Sequence, residues 1–141
     1  MLVLDWMTSG RAARGERWAF TRYQSRCEIR SGAREIFWDA LWLDPGDGPL
    51  AAPQRMGAVD ALAMVVLTGP RLRAGVSALL DWVAAQPLDA EAAVCFAASP
   101  IHGGVVLRAA SPSTERLAHW LKDRLHFIAD LLGADPWTRK W

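Results

Sequence analysis

Three groups of side chains in this 141-residue chain have types and spacings that could do chemistry. The first is His119, Asp123, His126 and Asp130, at i, i+4, i+7 and i+11. On a continuous helix all four share one face, directed away from the apolar stripe of Leu117, Leu121, Leu125, Ile128 and Leu132. Imidazole and carboxylate one turn apart can grip nickel or zinc, although a solvated face with fortuitous His-Asp pairs is the plainer reading of the same residues. The second group is Ser99 or Cys95 with His102, the nucleophile and base of a hydrolase. Neither nucleophile has a GxSxG setting, and Ser99-Pro100 followed by His102-Gly103-Gly104 reads first as turn chemistry. The third is the stretch DWMTSGRAARGERW, Asp5 to Trp18, which concentrates two tryptophans, two glycines, three arginines and two carboxylates without a histidine or cysteine. Its GRAARG segment lacks the third glycine of a dinucleotide loop and the Lys-Ser/Thr of a P-loop, and strand periodicity follows it, so it is no phosphate cradle.

Composition narrows what these groups can serve. Sixteen basic residues against 15 acidic ones leave a formal charge of +1, too little to steer nucleic acid or an anionic membrane. Arg11, Arg14 and Arg17 with Trp18 make a local basic and aromatic patch, but Asp5 and Glu16 interrupt it, so no nucleic-acid partner is expected. Cys27 and Cys95 lie far apart without a CxxC or a ligand-spaced histidine, as reduced core thiols would. No run approaches the ~18 apolar residues that span a bilayer, and MLVLDW has no basic n-region, which together lead us to expect a cytoplasmic protein without a membrane partner. The 8 tryptophans exceed the usual share, so large rings must fill a core or face a partner.

The elements that must position these groups fit one domain, residues 1–141. Met1 to Leu4 reads as a strand already under way, which leads us to expect that part of its sheet lies outside the chain. From Trp18 to Arg30, polar even positions alternate with Tyr23, Cys27 and Ile29, the pattern of a strand with one wet face. Ser31-Gly32 makes a turn, and Glu35 to Leu43 carries apolar residues on both sides, predicting a hairpin whose second strand is covered on both faces. Asp44 to Pro49 is a turn, Ala51 to Val59 a loop, and Ala61 to Leu67 a buried strand. Pro70 opens a helix with Leu72, Val76, Leu79, Leu80 and Val83 at helical spacing, ending before Pro87. Ala92 to Ala98 and Val105 to Ala109 pair around Ser99 to Gly104. Ser111 then opens one last helix, with Glu115 at its positive end and Gly133 as its cap. The fold class is mainly β with two α-helices (α+β): a β-rich first half, then strand, helix, two strands and helix.

DWxxxGRxxRGExW at Asp5 to Trp18, the RYQSRCEI strand, VVLTGP at Val65 to Pro70 and the terminal GADPWTRKW stand in the order of one known family. With these four motifs, from the first residues to Trp141, the chain resembles the C-terminal half of the urease accessory protein UreD. The resemblance implies a mainly β, non-enzymatic scaffold that binds UreF, joins the GTPase UreG and docks on apo-urease so that nickel, a transported ion and not a tightly held cofactor, reaches the urease active site. It implies a polar internal passage, with Asp5, Arg11, Arg14, Glu16, Trp18 and Arg26 facing the partners or the cation. His102, His119 and His126 would be further metal contacts, and Trp137, Lys140 and Trp141 partner anchors in the tail. The family is about twice this length, and its N-terminal half, with a glycine-rich GGD-containing segment, is absent here. Two other readings stand beside it: a truncated β-rich interaction module without a nickel role, and a hydrolase using Ser99, Cys95 and His102.

Overall fold

The computed structural model describes the chain except for residues 12, 13, 88, 90, 134, 136 and 138–141. Its backbone is a four-stranded antiparallel sheet of β1 (Leu2–Thr8), β4 (Ala61–Thr68), β6 (Gly104–Ser111) and β5 (Cys95–Ile101), in that order, with a separate two-stranded sheet of β2 (Tyr23–Ser31) and β3 (Arg34–Leu43). The helices are α1 (Arg73–Ala84), α2 (Thr114–Arg124) and α3 (Phe127–Leu132). The α+β class expected from the sequence is therefore what forms.

Strand β4 sits between two neighbours with both faces covered, which is why ALAMVVLT is apolar almost throughout. Its Ala61, Ala63, Val65 and Leu67, with Val105, Leu107 and Ala109 of β6, face the helices. There they meet Leu72, Val76 and Leu79 and the stripe Leu117, Leu121, Leu125 and Ile128. Leu117, Leu121 and Leu125 are fully buried, and burying such a side chain is worth about 1.5–3 kcal/mol. The opposite face of the sheet presents Met64, Val66 and Val106 to Ile29 and Phe37 of the hairpin. Hairpin, sheet and helices thus make three layers, with the sheet in the middle.

Several local expectations are corrected. The hairpin begins at Tyr23 and not Trp18, because Trp18 has a left-handed φ of 54° and turns its ring into a cluster with Leu43 and Leu50. The second hairpin strand is covered on one face only. Its register with β2 slips between Ile29 and Arg30, so that Ile36 and Phe37 both turn inward, while Trp38 and Trp42 remain 51% and 47% exposed. Strand β5 starts at Cys95 and runs through Ser99, Pro100 and Ile101, leaving only His102-Gly103 as the turn. A proline is tolerated there because β5 is an edge strand. Ser111 ends β6 fully buried, and Ser113 caps the helix instead, its Oγ accepting from the Arg116 amide at 3.3 Å. The last helix divides where Leu125 leaves helical geometry at φ −110° and ψ 15°, so there are three helices and not two. Gly133, at φ 69°, is the left-handed cap expected of it.

Candidate functional site

One transverse row of the large sheet carries two opposite charges, one on the edge strand β1 and one on the inner strand β6. Asp5 of β1 lies opposite Met64 of β4, Met64 opposite Arg108 of β6, and Arg108 opposite Ala97 of β5. Strand spacing puts Asp5 and Arg108 about 10 Å apart. Pairing also points both toward the hairpin, since the alternating neighbours Leu4 and Trp6 belong to the helix-side core. From the hairpin, Ser25 Oγ donates to Asp5 Oδ2 at 3.3 Å, and Arg108 Nη2 donates to Asp39 Oδ1 at 2.5 Å. The two β layers are therefore laced by polar contacts at two points above an apolar floor.

Between these contacts lies a cavity of about 600 Å³, lined among others by Asp5, Tyr23, Asp39, Met64, Cys95 and Arg108. A second cavity of about 680 Å³ is lined by Val3, Asp5, Ser25, Arg26 and Cys27. Asp5 borders both. Cys27 pairs across the hairpin with Asp39, and its thiol is pushed above the ordinary 9.0 by burial, then by the charges of Asp5 and Asp39. At neutral pH it is a protonated thiol, not a thiolate.

The rest of the Asp5 to Trp18 stretch builds a loop. Ser9 is buried, its amide donates to Asp60 O at 2.8 Å, and the Trp18 amide returns to Ser9 O at 2.7 Å. Gly10, at φ 100°, leaves no room for a side chain, since a Cβ would sit 2.9 Å from Glu16 O; Gly15 also takes a positive φ of 75°. Arg17 pairs with Asp60 and donates to Gly57 O and Val59 O, and Trp18 Nε1 donates to Val59 O at 3.1 Å. Arg11 and Glu16 form an exposed pair at 2.6 Å, and Arg14 is exposed. Of the six residues in the expected passage or partner set, Asp5 and Arg26 line the two cavities, Arg11, Arg14 and Glu16 lie on the loop, and the Trp18 ring is in the core.

The helix break separates the metal face into His119 and Asp123 on α2 and His126 and Asp130 at α3. Both rings turn back to their own backbone, with His119 Nδ1 3.1 Å from Glu115 O and His126 Nδ1 2.7 Å from Asp123 O. Among the described residues no group of three or more His, Cys, Asp and Glu side chains could hold a metal ion. Cys95 and Ser99 lie on one strand, about 13 Å apart at strand rise, and His102 stands in the turn beyond. No nucleophile and base are brought together there. Trp137 packs partly buried on the helix-side core, while Lys140 and Trp141 lie outside the described residues.

Sequence reasoning missed Asp39, Arg108 and Ser25. A signal existed for the first two: Arg108 is the one charge in its strand, GVVLRAAS, and Asp39 the one charge in the IFWDALWL stretch of β3. It placed Arg17 in the basic and aromatic patch but missed its pairing with Asp60, because the ion pair joins segments 43 residues apart.

Polar side chains laced between two β layers and bordering two cavities make a site of the binding-module class. The family model described as UreD urease accessory protein matches residues 1–141, and the chain belongs to that family. Its similarity to "Urease accessory protein UreD" of Sorangium cellulosum (strain So ce56) is 46% identity over 142 residues, covering 100% of this chain and 44% of the relative. To the protein of the same name from Anaeromyxobacter sp. (strain Fw109-5) it is 45% identical, covering 99% and 46%. To "Urease accessory protein D" of Oryza sativa subsp. indica it is 28% identical, covering 97% and 52%. The chain thus spans about half the length of these relatives. Membership is in a family of accessory proteins, not of enzymes, and the hydrolase reading of Ser99, Cys95 and His102 is set aside. No helix among the described residues is long and apolar enough to cross a membrane.

Proposed function

We propose that this chain is a non-enzymatic scaffold for nickel insertion into apo-urease, acting in the cytoplasm with UreF and UreG. The observation that carries the reading is Asp5, a carboxylate bordering both cavities between the β layers. Oxygen donors bind a divalent cation without the lasting grip of thiolate sulfur, and Cys27, held as a thiol, does not trap it. Asp39 already shares its charge with Arg108, so few donors would hold a cation at Asp5 and it could move on. Nickel here is cargo, and no tightly bound cofactor belongs to the reading.

The test is Asp5→Asn in the chain co-produced with UreF, UreG and apo-urease, scored by urease activation at limiting nickel. Activation falling by about tenfold with partner capture unchanged is the expected result, the size of losing one charged contact. Undiminished activation would remove Asp5 from the path. The exposed Trp38 and Trp42, each under a guanidinium at 5.9 Å (Arg26) and 4.8 Å (Arg22), favour a second reading, an interaction module without a nickel role. In that case Trp38→Ala with Trp42→Ala abolishes capture, while Asp5→Asn changes nothing.

A further inference from the structure

A third cavity, of about 550 Å³, forms where the turn between β2 and β3, the start of α1 and the turn between β5 and β6 converge. Its polar wall includes Arg34, Arg73, Ser31, Ser77 and His102, and no Asp or Glu lines it among the described residues. Arg11, Arg17, Arg22, Arg26, Arg30 and Arg108 are all paired with carboxylates. The side chains of Arg34 and Arg73, by contrast, make no hydrogen bond or ion pair among the described residues, and neither do the Ser31 and Ser77 hydroxyls or the His102 ring. Two guanidinium groups with all their donors free therefore border one concavity that also offers hydroxyl and imidazole groups. The helical segment that opens at Pro70 adds to the positive field, having no acidic residue in its first turn and no side-chain cap. The other wall is aliphatic, with Ile36, Val76, Leu80 and Ile101.

We infer that this cavity binds an oxyanion, and that its aliphatic wall selects one carried on an apolar group. Guanidinium forks match carboxylate and phosphate oxygens, and a volume of this size takes a small ligand or the terminal residue of a polypeptide. The shared chemistry is the oxyanion; its source is either a carboxylate on an aliphatic group or free phosphate. The site shares no residue with either of the two cavities that Asp5 borders, on which the nickel reading rests.

The experiment titrates the 141-residue chain at low ionic strength with N-acetyl-leucine, with inorganic phosphate and with neutral N-acetyl-leucinamide, following amide resonances by NMR. Saturable shifts of the Gly69, Arg73 and Gly103 amides with N-acetyl-leucine, absent with the amide, are expected. Weaker saturation by phosphate identifies the aliphatic carboxylate as the ligand type; equal or tighter saturation by phosphate would overturn the selection by the aliphatic wall and leave free phosphate as the source of the oxyanion. Arg34→Gln and Arg73→Gln, both at exposed positions, should each weaken binding by about tenfold while the spectrum stays that of a folded chain. No saturation by either anion below about 50 mM, or binding unchanged in both variants, would overturn the inference.

Discussion

Trp18 joins a strained backbone to a buried ring. Its φ of 54° is unfavourable for a tryptophan, yet the ring is 4% exposed, meets Phe20 edge-on at 6.2 Å and donates to Val59 O. Packing outweighs the backbone cost. Trp18→Ala should therefore destabilise the chain by about 3–5 kcal/mol in urea unfolding, whereas a cost below about 1 kcal/mol would mean that the ring is not a core residue. The motif around Trp18 was legible as a resemblance, but its burial was not, because Leu43, Leu50 and Val59 reach it only through the fold. The two thiols separate at the same scale. Cys95 is exposed, whereas the Cys27 thiol is raised by burial and by Asp5 and Asp39. Iodoacetamide at pH 8 should modify Cys95 first, and Asp5→Asn should speed modification of Cys27; equal rates in the parent chain would contradict this. Because the folded state favours the neutral Cys27 thiol, its contribution to stability is full below the ordinary 9.0 and is lost as pH rises through the raised value.

At the scale of elements, periodicity found the strands and the first helix, and failed where tertiary contacts decide. The stripe from Leu117 to Ile128 keeps helical spacing straight through the break at Leu125, so nothing in the pattern announces α3. The reason lies in docking: Phe127 of α3 fills the space that Gly75 of α1 leaves open, and a Cβ at Gly75 would come within 2.4 Å of the Phe127 ring. Gly75→Ala gains helix propensity but forces that ring away. A net loss of about 1–3 kcal/mol is expected in thermal unfolding, and a stabilised variant would show that α3 does not rest on α1. The hairpin gives a matching lesson, since one bulge re-phases β3 and converts an expected buried face into a row with Trp38 and Trp42 outward. Charges such as Asp39 and Arg108 stood out in their strands, but their pairing across layers 69 residues apart did not.

For the molecule as a unit, three layers place the helices on one side of the sheet and the cavities bordered by Asp5 on the other, beneath the hairpin. The resemblance made the family legible from motifs distributed along the chain, and the family model matches residues 1–141. The most direct measurement is reconstitution of this chain with UreF, UreG and apo-urease, reading both co-purification and urease activity after nickel and GTP are supplied. Capture of the partners together with a gain in urease activity that depends on the chain is the predicted result. A folded chain that captures none of them and leaves urease activity unchanged would contradict the proposed role as a scaffold for nickel insertion.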